Sequence, residues 1–378
     1  MIPLSIPHLA GNEWKYVKEC LDTGWVSSAG AYVTQFENMV AEYVGAAHGV
    51  SCVNGTSGLH LAMHMLDVTQ GDYIIVPNIT FIASANSASY TYAEPIFMDV
   101  NPDTWQMDLD LLERFLDNDC LMKDGLCYRK DDLENPIKAI MPVHVLGNMC
   151  DMPKLMSIAN KYNIYVVEDA SESLGSYWKG QHSGTYGVMS IFSFNGNKII
   201  TTGGGGVIVT NDEAIAKRAK HLTTQAKADP QTYYHDEIGF NYRMVNVLAA
   251  IGVAQMEQFD GFLQKKKHID AYYREHLSGV GDIRFQKVED NVDPNCWLFT
   301  FSTSKQAEIL KALNDAKIIA RPFWMPMNQL PMFTDKLYVN EHDFSKKVHA
   351  DSLSIPSSVG LMDEEMKEVV EVVKGVFG

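Results

Sequence analysis

Strand and helix signals alternate from about residue 48 to residue 222, which predicts an α/β protein with a mainly parallel sheet and covering helices. Two further observations point the same way. The apolar strand Ile164 to Val167 runs straight into the polar triplet Glu168-Asp169-Ala170, and ligands of parallel sheets sit at such carboxyl ends. From about residue 280 the regular alternation gives way to mixed strand and helix signals, the mark of a smaller α+β unit. We therefore divide the 378 residues into a large α/β domain, 1–250, and a small C-terminal domain, 251–378.

Composition narrows the function. The chain is 46% hydrophobic and 21% charged, typical of a globular enzyme or binding protein. A formal charge of −16 argues against a nucleic-acid binder, which needs a basic face, yet permits a small phosphorylated ligand in a local pocket. Six cysteines form no CxxC pair and no His-rich metal spacing, so reduced structural thiols are expected and no metal site. No signal peptide and no run of 18 apolar residues is seen, so a cytoplasmic location without membrane contact is expected.

Taken in order, Gly11 to Asp22 reads as a helix, followed by a small-residue loop through Gly30 and a helix from Thr34 to Tyr43 with Phe36, Met39, Val40 and Tyr43 on one face. The strand His48 to Val53 enters the turn Asn54-Gly55-Thr56-Ser57, where the next helix begins. Helix N-termini offer unpaired N–H groups and a partial positive charge, an anion site, although a plain Ser/Thr cap explains the same residues. Tyr73 to Val76 is a strand; Phe81 to Tyr92 is a helix with Thr80 as its expected cap. Pro95 to Val100 is a strand, Leu109 to Leu116 a helix, and Lys123-Asp124-Gly125 a hairpin turn. Ile137 to Val145 is strand-like despite Pro142, and Pro153 to Tyr162 is a helix opened by proline.

The stretch Ser190 to Asn211, SIFSFNGNKIITTGGGGVIVTN, places a single lysine, Lys198, in a polar loop between two strands. A solvated surface lysine would be the ordinary explanation. A lysine amine can also form a Schiff base with a carbonyl. With pyridoxal phosphate (PLP), such chemistry needs an acid for the ring nitrogen, donors for the phosphate and an aromatic face for the ring. Asp169, Thr56 with Ser57, and Phe81 are of the right types. Gly203 to Gly206 lack the context of a nucleotide-binding loop, so close backbone approach is expected of them. His144 and His182 are open between structural and ligand-facing roles.

Six blocks occur in order: TGWVSSAG, NGTSGLHLAM, GDYIIVPNITFIASAN, VVEDASESLGS, FSFNGNKIITTGGGG and GFNYRMVNVLAAIGVAQ. Together they resemble the DegT/DnrJ/EryC1/StrS family of PLP-dependent sugar aminotransferases over about Pro7 to Met362. The resemblance implies the fold-type I, aspartate aminotransferase-like architecture, with a mainly parallel seven-stranded sheet. It implies PLP held on Lys198 as a Schiff base, with a pyridoxamine phosphate form in turnover, and Asp169 partnering the ring nitrogen. Thr56, Ser57 and Ser193 would surround the phosphate, Phe81 would stack on the ring, and Glu172 would lie beside the cofactor. Asn241 would reach the phosphate from a neighbouring subunit, implying a homodimer with shared sites. Trp25 and Ser27 fall in the substrate loop, and Arg243 is a candidate contact for the donor or sugar phosphate.

Departures from the family pattern narrow the expectation. Glu172 stands where many members have Gln or His, Gly204 where many are acidic, and Asn328 where a histidine is frequent. The pattern is most similar to enzymes that use L-glutamate to aminate carbon 4 of nucleotide-linked 4-keto-6-deoxy sugars, UDP- or GDP-linked, such as the N-acetylbacillosamine and legionaminic-acid pathway enzymes and perosamine synthases. A sugar dehydratase of the same fold is an alternative, but those relatives carry histidine in place of the lysine. A non-catalytic regulatory homologue is the other, and the intact Lys198, Asp169 and phosphate residues weigh against it.

Overall fold

The computed structural model describes residues 1–229 and 231–378. Seven strands form its central sheet: β1 (His48–Cys52), β2 (Tyr73–Pro77), β3 (Glu94–Met98), β4 (Asp132–Ile140), β5 (Tyr165–Asp169), β6 (Met189–Ser193) and β7 (Gly206–Thr210). Their spatial order is β1-β7-β6-β5-β4-β2-β3. All run parallel except β7, which pairs antiparallel with both β1 and β6. The expected seven-stranded α/β core is therefore present. The sheet extends further, with Tyr338–Val339 parallel beside β3 and a hairpin, Cys120–Lys123 with Leu126–Arg129, beside β4.

Burial on both faces explains the apolar strands. One cluster gathers Phe36, Phe192, Phe194, Val207 and Val253 on one side, and another gathers Leu59, Ile74, Phe97 and Ile208. A third cluster, around Leu112, Leu155 and Ile158, covers the β3–β4 half. A separate four-stranded antiparallel sheet, ordered Arg284–Phe285, Thr300–Ser302, Ser352–Ser354 and Arg321–Pro322, follows in the C-terminal part. The helices Phe259–Leu277, Gln306–Asp315 and Asp363–Gly375 pack on it through Tyr273, Ile309 and Val369.

Several local expectations change. The helix after β2 spans only Ala83–Ser89, and Thr80 does not cap it; the Thr80 hydroxyl faces Ser84 Oγ at 2.8 Å. β4 ends at Ile140, before Pro142, and only an isolated parallel bridge from Val143 to Asp169 continues its line. The helix after β1, Gly55–Met65, is capped by Asn54, whose side chain accepts from Ser57 N–H at 2.8 Å. All six cysteines are free thiols, and five are buried. Among the described residues, no helix is long and apolar enough to cross a membrane.

Candidate active site

The carboxyl ends of the parallel strands converge on one cavity of about 520 Å³. Asp169 ends β5, Ser193 ends β6, and the helix Gly55–Met65 starts just beyond β1. Lys198 lies in the loop between β6 and β7. Of the residues expected to act together, Lys198, Asp169, Thr56, Phe81, Glu172 and Ser193 all line this cavity.

Asp169 is only 4% exposed. Its Oδ2 accepts from Ser84 Oγ at 2.6 Å and its Oδ1 from Ser171 N–H at 3.1 Å. Its neighbour Glu168 points to the other face and serves as a clamp. That carboxylate accepts from the N–H groups of Gly184, Tyr186 and Gly187, from Ser190 Oγ, and is 3.0 Å from His144 Nε2. Burial alone would raise the Glu168 carboxyl, but His144 and these N–H donors hold it below its ordinary value. His144 is thus structural, and His144 N–H also donates to Asp169 O at 3.3 Å. His182 is structural as well: its Nε2 accepts from Gly175 N–H at 2.8 Å, and burial pushes its proton affinity down to about 4.

Lys198 Nζ lies 3.4 Å from Glu172 Oε1 and 3.8 Å from the centre of the Trp297 ring. Glu172 Oε2 accepts from Leu146 N–H at 2.9 Å. Burial raises the Glu172 carboxyl to about 7, against the opposing pull of Lys198 and that N–H. The loop bearing Lys198 is fastened by Trp297 Nε1, which donates to Asn197 O at 2.8 Å.

The anion site is built from backbone. With Asn54 capping Ser57 N–H, the Gly55 and Thr56 N–H groups at the helix start have no protein acceptor among the described residues. Ser193 stands against them, its Cβ 3.0 Å from where a side chain on Gly55 would begin. Gly206 is needed because a side chain there would meet Asn54 backbone atoms at 2.7 Å, so the close backbone approach falls at this one glycine and is to Asn54, whereas Gly203 and Gly204 face no atom nearer than 3.8 Å. Free N–H groups, two hydroxyls, a buried carboxylate, an amine and the Phe81 ring form a donor set that fits pyridoxal phosphate.

Other predicted residues lie elsewhere in this chain. Ser57 does not line the cavity; its N–H is taken by Asn54. Trp25, Ser27 and Asn241 are exposed and also outside the lining. Asn246 secures the Trp25–Ser27 loop, donating from Nδ2 to Trp25 O and from N–H to Ser27 O. Arg243 also lies outside the lining. Its guanidinium is buried against Glu37, with Nη1 2.5 Å from Oε1 and Nη2 3.4 Å from Oε2, so it is not free to grip a substrate in this cavity.

Sequence reasoning missed Ser84, Trp297, Arg321 and Trp324, of which the last three line the cavity. Ser84 stands one helical step from Phe81, a spacing that could have revealed it. Nothing local marks Trp297, which reaches the site from 100 residues beyond Asn197.

The model of the DegT/DnrJ/EryC1/StrS aminotransferase family matches residues 7–374. A GDP-perosamine synthase of Escherichia coli O157:H7 is 37% identical over 379 residues, covering 100% of this chain and 98% of that protein. A GDP-perosamine synthase of Caulobacter vibrioides is 36% identical, covering 100% and 98%. Among solved structures, an aminotransferase of this family from Brucella abortus superposes with a TM-score of 0.90 at 22% identity, covering 97% of this chain and 95% of that one, a likeness of fold.

Proposed function

From the premise that the chain belongs to the DegT/DnrJ/EryC1/StrS aminotransferase family, we propose that it moves an amino group from L-glutamate to carbon 4 of a nucleotide-linked 4-keto-6-deoxy sugar in glycan precursor synthesis. The observation that carries this is the meeting of Lys198, Glu172 and Asp169 in one cavity with an open helix N-terminus. The GDP-perosamine synthases matched over their full length favour a GDP-linked sugar.

Pyridoxal phosphate, when bound, supplies an electron sink for the pair released at the carbon that bears the amino group. Lys198 Nζ would hold it covalently and, once displaced by the donor amine, carry a proton to and from that carbon. Asp169, fixed by Ser84 and Ser171, keeps a proton on the ring nitrogen. Gly55, Thr56 and Ser193 would hold the phosphate, and Phe81 would offer an aromatic face to the ring. The exposed Asn241 would complete the site of a second copy in a homodimer, and Trp25 and Ser27 would serve as the substrate loop.

The test is a visible spectrum of the purified protein, followed by L-glutamate. The absorption band of the bound cofactor bleaches on addition and, once free 2-oxoglutarate is removed, returns with a nucleotide-linked 4-keto-6-deoxy sugar, whose product gains an amine. Lys198→Ala loses both responses. A protein without chromophore, or a product that loses a hydroxyl without gaining an amine, overturns the proposal.

A further inference from the structure

Lys266 is only 2% exposed, and among the described residues no carboxylate pairs with it. Its ammonium donates to Trp297 O at 2.7 Å and to Ser357 O. A buried ammonium satisfied by carbonyls alone is costly, and an apolar side chain of similar volume is a common, cheaper solution. The site of this expense is informative, because both carbonyls belong to segments that lead into the cavity.

Trp297 is the more direct link. Its indole N–H holds the residue before Lys198, and its ring lies under the Lys198 amine. Two residues earlier, Asn295 donates from Nδ2 to Glu172 O at 2.7 Å and to Leu174 O at 2.8 Å, and its Oδ1 accepts from Trp297 N–H. Between them Cys296 is held at a φ of 55°, a left-handed conformation that a non-glycine residue resists. A strained residue directly before Trp297 persists only if its flanks are tied down. Lys266 ties the far flank. On the other side, Ser357 N–H donates to Leu4 O, and Leu4 lines the cavity.

We propose that Lys266 is a positioning residue for Lys198: its buried ammonium fixes the Trp297 backbone, and thereby the indole that orients the Lys198 amine. This rests on the proposed role of Lys198 as the cofactor's anchor. A cation over an indole face is held by the negative face of the ring, and this hold is lost if the ring swings away. The tie is mechanical, so a guanidinium reaching the same two carbonyls would serve it and a methionine would not.

The experiment follows attachment, not turnover. Cofactor-free protein is mixed with pyridoxal phosphate, quenched with borohydride at intervals, and the labelled lysine is located by peptide mass spectrometry. In the parent, label enters at Lys198. In Lys266→Met the rate falls about tenfold, and the induced circular dichroism of the bound chromophore weakens, with the far-ultraviolet spectrum unchanged; Lys266→Arg restores both. Trp297→Leu reproduces the loss, and adding Lys266→Met to it changes nothing more. Parent-like attachment and dichroism in Lys266→Met overturn the inference. Should Lys266→Met fail to fold, parent-like attachment in Trp297→Leu overturns it equally. Absence of label at Lys198 in the parent would instead sink the proposed function itself.

Discussion

Lys198 Nζ and Glu172 Oε1 stand 3.4 Å apart, with the carboxylate 3% exposed and the lysine side chain 13% exposed. Two opposite charges at that distance in a dry site ordinarily hold the carboxyl low. Here burial wins, and the Glu172 carboxyl sits at about 7. Glu172 is therefore able to take up or release a proton in the neutral range, beside a lysine that shuttles protons.

The first prediction concerns that pair. With Glu172 titrating near 7, turnover of the parent shows a limb in its pH profile close to neutrality. Glu172→Gln keeps an acceptor for Leu146 N–H but removes the proton, so the limb disappears. The stability effect has a definite sign. The folded value lies above the unfolded one of 4.5, so the parent loses stability as pH rises from about 4.5 to about 7 and the loss is complete above that, and Glu172→Gln gains about 1–3 kcal/mol on the parent between pH 5 and a pH just above 7. Denaturant melts at the two pH values and a kcat profile check both. An unchanged limb would remove Glu172 from the proton path.

How much of this was legible beforehand depends on the range of each interaction. Asp169 was readable because a strand end is a local feature and the sheet topology brings such ends together, whereas Ser193 came only from the family resemblance. Lys198 was readable because a lone charge between two apolar strands is conspicuous. Trp297 was not, since its role depends on a contact across 100 residues and on Lys266 beneath it. Arg243 shows the opposite error. Sequence exposes a charge without its partner, and the partner proved to be Glu37, which also accepts from Ser51 N–H and Oγ at 2.9 Å. Thr80 was taken for a cap because its side chain can cap, but the helix starts later and the hydroxyl serves Ser84 instead.

The second prediction concerns Asp169. A hydrogen bond to a buried charged group contributes about 1.5–3 kcal/mol, so Asp169→Asn slows the glutamate-driven bleaching roughly ten- to hundredfold. Ser84→Ala removes only the 2.6 Å bond to Oδ2 and costs less, about three- to tenfold. Stopped-flow absorbance measures both. Equal, negligible effects would show that the carboxylate does not face the ring nitrogen.

The third concerns pH and Lys266. Burial holds its amine down to about 7, whereas the unfolded chain stays protonated to about 10.5. Below pH 7 both states carry the proton, and the full penalty of burying the charge is present. Between pH 7 and 10 the folded protein has shed the proton while the unfolded chain has not, so the penalty fades and stability rises. The Lys266→Met protein lacks this term. Its stability relative to the parent should therefore decline by a few kcal/mol, on the order of 2–4, from pH 7 to pH 10. Urea midpoints across that range measure it, and a flat difference would mean that the amine keeps an ordinary proton affinity.

The fourth separates structure from substrate binding at Arg243. Glu37→Gln keeps acceptors for Ser51 but leaves the buried guanidinium without a counter-charge. Breaking a buried pair from one side costs about 3–5 kcal/mol, so the denaturation midpoint falls sharply. Replacing both residues, Glu37→Gln with Arg243→Met, leaves no orphaned charge and keeps an acceptor for Ser51, and stability returns to near the parent's because the desolvation cost vanishes with the attraction. That double variant is the informative one. If Arg243 serves only to hold the helix Ala31–Val44 against the β1 end through Glu37 and Cys52, KM for glutamate and for the sugar stays within a few-fold of the parent. A selective rise in either KM, in a protein that melts like the parent, would return Arg243 to the substrate site.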